Sequence, residues 1–150
     1  MEPRYLLDTN ICIYIRQNRP ERVLHRFRKL RIGEAVLSVI TYGELFYGAT
    51  KSVQRAAALE RLRELTSLLP PLPLPETAAE AYGRIRAQLE ASGEMIGNND
   101  LWIAAHALSS ELTLVTNNER EFRRVQGLKL QNWAVASHRR HNRMLGRASI

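Results

Sequence analysis

Residues 5–16 read YLLDTNICIYIR: three apolar residues, three polar ones, then a run dominated by isoleucine. Tyr5-Leu6-Leu7 has the unbroken apolar character of a short buried strand, and Asp8-Thr9-Asn10 supplies residues that open a helix through Ile11 to about Arg16. Asp8 is thereby placed at the C-terminal end of a strand. The same step recurs further on. Ala35-Val36-Leu37-Ser38-Val39 reads as a second strand, and Thr41-Tyr42-Gly43-Glu44 has capping-box spacing for a helix running to about Thr50. Leu112 to Thr116 is a third strand with Asn117-Asn118 as its exit, Glu119 to Val125 a short helix, and Leu128-Lys129-Leu130 a last short strand.

The segments between are helical. Pro20, favoured at a first helical position, precedes a stripe of Val23, Leu24, Phe27 and Leu30 that Gly33 stops. Leu59, Leu62, Leu65 and Leu69 form the stripe of a helix from roughly Val53, closed by the run Pro70 to Pro75, whose apolar flanks mark a packed edge segment despite its PxxP pattern. Thr77-Ala78-Ala79-Glu80 repeats the capping-box spacing ahead of Ala81, Tyr82, Ile85 and Leu89, and Gly93 ends that helix. Asp100 then heads the almost wholly apolar helix Leu101–Leu108, which must lie centrally.

Strands alternating with helices, and apolar strands without a period of two, predict an α/β sandwich with a mostly parallel central sheet flanked by helices. In such folds ligands sit beyond the carboxyl ends of the strands. One domain over residues 1–136 fits the chain length. Residues 137–150 form a basic tail, carrying Arg139, Arg140, Arg143 and Arg147 and no acid, that reads as a solvated, poorly ordered terminus. These four arginines account for most of the net charge of +7 and leave residues 1–136 with +3, so the total is a weak argument for an anionic partner. The lone Cys12, in an apolar run, excludes a disulfide framework and fits a buried thiol in a reduced cytoplasmic setting. An acid follows the first apolar residues too soon for a signal peptide, and no run reaches membrane-spanning length, so a soluble protein without a membrane partner is expected.

In a parallel sheet the strand exits share one edge, where Asp8, Glu44, Asp100 and the pair Glu119/Glu121 can converge. Each alone has an ordinary explanation. Asp8 can start its helix, Glu44 can serve the Thr41 capping box, Asp100 can complement a helix dipole, and Glu121 can be a solvated acid beside Arg120. Taken together they would repel one another unless a cation neutralised them. Oxygen-only ligation selects a hard ion such as Mg²⁺ or Mn²⁺ over zinc. His106, on the apolar helix, reads as a packed core residue, and with His138 and His141 in the tail a paired-histidine mechanism finds no support.

Four ordered blocks carry a more specific signal: LLDTNICIYI, SVITYGELFYGATKS, IGNNDLWIAAHAL and LTLVTNNEREFRRVQGLKLQNW. From about Tyr5 to Trp133 the chain resembles the PIN-domain ribonucleases, and within them the VapC-type toxins of bacterial toxin–antitoxin pairs. Carried over by position, Asp8, Glu44 and Asp100 resemble the family's three central acids, with Asp8 and Asp100 foremost as metal ligands. Glu121, before Phe122, stands where the family usually has Asp; the longer side chain is a departure, and Asn118 or Glu119 are alternatives. Thr9 and Thr116 look like the family's hydroxyl residues that orient carboxylates or water. The resemblance implies Mg²⁺- or Mn²⁺-dependent hydrolysis of RNA, tRNA in many relatives, by activated water without a protein nucleophile, leaving a 5′-phosphate. It also implies a cognate VapB-type antitoxin, operator DNA bound only through the antitoxin complex, and a homodimer.

Because acids cannot attract a polyanion, flanking cations must grip the substrate. Arg16, Arg19 and Arg22 near the first site and Lys51 and Arg55 beyond the second are the candidates; Tyr42 and Tyr47 can stack bases or pack in the core. Two other classes compete with the nuclease. An aspartyl phosphotransfer enzyme also begins with an Asp after its first strand, but many such phosphatases use a second Asp two residues on, where this chain has Asn10. A non-catalytic RNA-binding module would leave the acids incidental, and the weak body charge speaks against it.

Overall fold

The computed structural model describes residues 2–135. Along them run β1 (Tyr5–Leu7), α1 (Thr9–Arg16), α2 (Glu21–Arg28), β2 (Ala35–Ser38), α3 (Val39–Thr50) and α4 (Arg55–Leu68). Then follow β3 (Pro71–Leu72), α5 (Thr77–Ser92), α6 (Asn98–Ser109), β4 (Thr113–Val115), α7 (Glu119–Phe122) and β5 (Leu130–Gln131). The basic tail at 137–150, with His138 and His141, lies outside the described residues.

The strands form one sheet in the order β3-β2-β1-β4-β5, and every pairing is parallel. In register, Tyr5 stands opposite Ala35 on one side and Thr113 on the other. The predicted α/β sandwich is therefore the fold. Alternate strand residues serve opposite layers. Tyr5, Leu7, Ala35, Leu37 and Val115 pack with Ile11, Ile15 and Leu62, whereas Leu6, Val36 and Leu114 pack with Ile85, Leu101 and Ala104. Both faces are covered by helices, which is why the strands read as unbroken apolar runs. Each large apolar side chain so buried contributes about 1.5–3 kcal/mol.

Several boundaries differ from the sequence reading, each for a local reason. Helix α3 starts at Val39, because Ser38 ends β2 and caps the helix at once, its Oγ accepting from the Ile40 N–H at 3.2 Å. Thr41, the expected cap, is instead buried in the first turn. Likewise Glu76 stands at the cap of α5 without a side-chain bond, so the Thr77 capping box does not form. Pro20 sits one position before α2 rather than inside it. Helix α4 begins at Arg55, since Val53 is fully exposed, and α7 spans a single turn. The last strand lies at Leu130–Gln131, where its register with Leu114 and Val115 places it. The proline run is a packed edge segment as expected: β3 borders β2 on the rim of the sheet, where a missing N–H is tolerated. Gly93 ends α5 with a positive φ of 69°, which a side chain would disfavour.

Strand β1 has neighbours reached by separate crossovers on its two sides, so the crevice beyond the β1 and β4 exits is the position where parallel sheets bind ligands. Asp8 and Thr116 stand there.

Candidate active site

Asp8 leaves β1 and caps α1. Its Oδ1 accepts from the Ile11 N–H at 3.1 Å, and its Oδ2 accepts from the Thr116 hydroxyl at the exit of β4. A helix cap thus also ties two strand exits together. Thr116 Oγ1 accepts in turn from the Asn118 N–H at 2.9 Å, and the Asn118 amide donates to Glu121 Oε2 at 3.0 Å. A continuous chain of hydrogen bonds therefore runs from Asp8 to Glu121. Across the crevice, the Thr9 hydroxyl donates to Glu44 Oε1 at 3.1 Å. Glu44 is a mid-helix residue of α3, and its carboxylate faces α1 instead of serving a cap.

Asp100 is the third residue of α6 and is half-buried. Burial comes first among the causes that push its acid up to about 6, followed by the charges of Glu121, Glu44 and Asp8. All four predicted acids therefore share one electrostatic site. Asp8 is also raised, chiefly by burial and least by Glu44, against the lowering effect of the bonds from Thr116 and the α1 backbone. Glu119, the other candidate for the fourth acid, is turned away: its Oε2 accepts from the Asn132 amide at 3.2 Å and its Oε1 from Arg123 at 3.5 Å. The geometry favours Glu121.

Other candidates separate as clearly. His106 is a buried core residue, its Nδ1 2.9 Å from Ser38 Oγ. Arg55 is engaged by the Thr50 carbonyl at 2.8 Å and Lys51 lies over the Tyr47 ring at 5.2 Å. Tyr47, for which core packing was one expectation, is 65% exposed, whereas Tyr42 is partly buried against Phe46. Asn132, which no sequence pattern singled out, donates to both Asn117 and Glu119 and holds the β4 exit loop against β5.

The donor set suits a hard cation. It consists of carboxylates and hydroxyls, while Cys12 is buried with its thiol pushed well up by burial and His106 is bonded elsewhere. Among the described residues Asp100 accepts no hydrogen bond, so its charge is left to a cation or to water. No three acid, imidazole or thiol groups among these residues stand close enough to share one ion as they are. A Mg²⁺ site needs no such group, since this ion takes one or two carboxylates and keeps several waters or substrate oxygens.

Residues 5–128 match the PIN domain. The chain belongs to the PIN-domain family. This PIN domain is 43% identical over 130 residues to ribonuclease VapC2 of Haemophilus influenzae, a match covering 87% of this chain and 98% of the relative. It is 41% identical over 131 residues to the tRNA(fMet)-specific endonuclease VapC of Shigella flexneri, with 87% and 98% covered. The fold agrees. A crystal structure of DNA-bound VapBC from Salmonella typhimurium superposes with a TM-score of 0.82 at 40% identity, over 87% of this PIN domain and 98% of that chain. Among the described residues no helix is long and apolar enough to cross a membrane.

Proposed function

We propose that this PIN domain is a Mg²⁺- or Mn²⁺-dependent endoribonuclease, a VapC-type toxin that hydrolyses RNA and thereby inhibits translation. The observation that carries the reading is the hydrogen-bonded array at the β1 and β4 exits, Asp8–Thr116–Asn118–Glu121 and Thr9–Glu44, with Asp100 near enough for the charges of Glu121, Glu44 and Asp8 to raise its acid. Asp8 and Asp100 would hold the ion. When bound, it supplies a lowered pKa for water and neutralises charge on the phosphoryl oxygens.

The chain's own residues do the positioning. Asp8 is fixed by Ile11 N–H and Thr116, one bond to each oxygen, so each oxygen has further acceptor capacity at a set place. Thr9 holds Glu44, and Asn118 holds Glu121, as acids able to accept a proton from an attacking water. No protein nucleophile is needed, and the product keeps its phosphate on the 5′ side.

The relative from Shigella flexneri is tRNA(fMet)-specific, and at 41% identity tRNA is the substrate class we favour. Three solved relatives are VapBC complexes, two of them bound to DNA. By the same reasoning this PIN domain is held in check by a VapB-type antitoxin in the cytoplasm and reaches operator DNA only through that complex.

Purified full chain mixed with single-stranded RNA and tRNA tests the reading. Cleavage is expected in Mg²⁺, with 5′-phosphate ends, and is expected to fall by about a thousandfold in Asp100→Asn or on adding chelator, some 4 kcal/mol of transition-state stabilisation. Cleavage that persists in chelator and in the variant alike overturns the metal mechanism.

A further inference from the structure

The acid cluster repels the polyanion it is to cut, so binding energy has to come from elsewhere. A groove of about 220 Å³ lies beside Glu44, the one acid of the four that lines it, and is bordered also by Thr9 and Arg16 of α1, Gly48 of α3, Ser52, and Arg61 of α4. Thr9 and Glu44, bonded to each other, both line it. Arg16 lies seven residues along α1 from Thr9, ~10 Å further out at 1.5 Å per residue. Among the described residues neither Arg16 nor Arg61 is in an ion pair; the arginines that are paired there are Arg4, Arg63, Arg86 and Arg123. Two guanidiniums thus line a groove that also contains Glu44, one of the four proposed hydrolytic acids.

Gly48 lines the same groove. A glycine inside a helix is less stable than alanine there, and its usual justifications are a positive φ or a close internal contact. Gly48 has neither, like the helical Gly43 and Gly83: its φ is not positive, and a Cβ built on it would meet nothing within 4 Å; of the three, Gly48 alone lines the groove. The bare backbone faces the groove, where a side chain would narrow the passage. Ser52 Oγ already accepts from the Gln54 N–H, which leaves its hydroxyl proton to donate.

We propose that this groove is the subsite for the RNA backbone flanking the scissile bond: Arg16 and Arg61 bind its phosphate, and the strand passes over Gly48. The inference rests on the nuclease reading and adds two residues, Arg61 and Gly48, that no sequence pattern singled out. Phosphate is the ligand because a strand with its scissile group at the acids carries its next charges into the groove. Guanidinium forks bind phosphate oxygens in pairs.

The test is steady-state cleavage of a labelled single-stranded RNA in Mg²⁺ across a range of salt concentrations. Arg16→Gln with Arg61→Gln is expected to raise KM by about tenfold per arginine, with kcat within a few-fold. The salt dependence of log KM should fall by about 1.4, at ~0.7 for each lost phosphate contact. Arg→Lys at both sites should restore the slope. Gly48→Leu should raise KM without changing the slope, while its melting temperature stays equal to the parent's or higher, which separates a blocked groove from misfolding. Arg63→Gln, already paired with Glu60, serves as the control. A parent that cuts RNA alongside a double variant with unchanged KM and slope overturns the subsite and leaves the nuclease reading intact. The same holds if the double variant loses affinity for a VapB-type partner but not for RNA, since the groove then belongs to the antitoxin. A parent that neither binds nor cuts RNA removes both.

Discussion

At the exit of β1, Asp8 is 6% exposed and has both carboxylate oxygens occupied, one by the Ile11 N–H and one by the Thr116 hydroxyl. At the head of α6, Asp100 accepts no hydrogen bond among the described residues and is pushed up to about 6 by burial and three other acids. The two carboxylates serve one proposed ion, yet the fold relates to them oppositely. Asp8 is part of the architecture: it starts a helix and ties β1 to β4. Asp100 is a group the fold tolerates, short of donors among the described residues, which is the environment the proposed cation would complete. Functional sites commonly keep such locally unfavourable groups, and stability suffers for it.

The first way to break this comparison is to remove Asp8. Asp8→Ala deletes an N-cap and leaves the buried Thr116 hydroxyl without its acceptor, at a cost of about 1 kcal/mol for the cap and 1–3 kcal/mol for the unpaired group. Urea unfolding of the metal-free chain should therefore show a loss of about 2–4 kcal/mol. Asp8→Asn, which keeps a capping oxygen, should recover most of it without recovering cleavage. If Asp8→Ala unfolds like the parent, Asp8 has no architectural role and the contrast with Asp100 fails.

A smaller effect isolates the tie itself. Thr116→Val preserves shape but removes the donor to Asp8 and the acceptor of the Asn118 N–H. Groups that orient a ligand carboxylate contribute about 10–100-fold to metal affinity or activity. We expect the Mg²⁺ concentration needed for half-maximal cleavage, measured by titration, to rise by about that factor, with Thr116→Ser close to the parent.

How much of this was legible in the sequence follows from which interactions are local. The β1-to-α1 step could be read because Leu7, Asp8 and Thr9 are neighbours and each acts within a few residues. Parallel pairing could be read because strands buried on both faces have no alternation to hide. The cap of α3 was not legible: Ser38 and Thr41 both qualify by composition, and only the burial of Thr41 beneath the first turn selects Ser38. Glu121 was placed by analogy, and its preference over Glu119 became visible only through the Asn118 and Asn132 amides, which hold the two acids apart. Arg61 stayed hidden, because which face of α4 meets the crevice depends on packing against α1 and α3, contacts remote in sequence.

The smallest expected effect is also the one whose sign separates the two acids most cleanly. Asp100 ionises near pH 6 when folded and near 3.8 when unfolded, so between those values the folded state holds the extra proton. Stability of the metal-free chain from this group is therefore fully present at low pH and is lost as pH rises through about 6. Asp100 is only half-buried, and solvent screening reduces the full linkage to about 1 kcal/mol. Asp100→Asn should remove that loss, melting higher than the parent at pH 7 in chelator and flattening the slope between pH 4 and 6. Saturating Mg²⁺ should reverse the parent's behaviour, because the ion binds the carboxylate only once it has ionised, so ligand-induced stabilisation appears above pH 6 and fades below it. Thermal melts of parent and variant at pH 5 and pH 7, each with Mg²⁺ and with chelator, contain the whole prediction. A parent whose Mg²⁺-induced shift is the same at both pH values would mean that Asp100 is no ligand, and that the ion depends on the architectural acid alone.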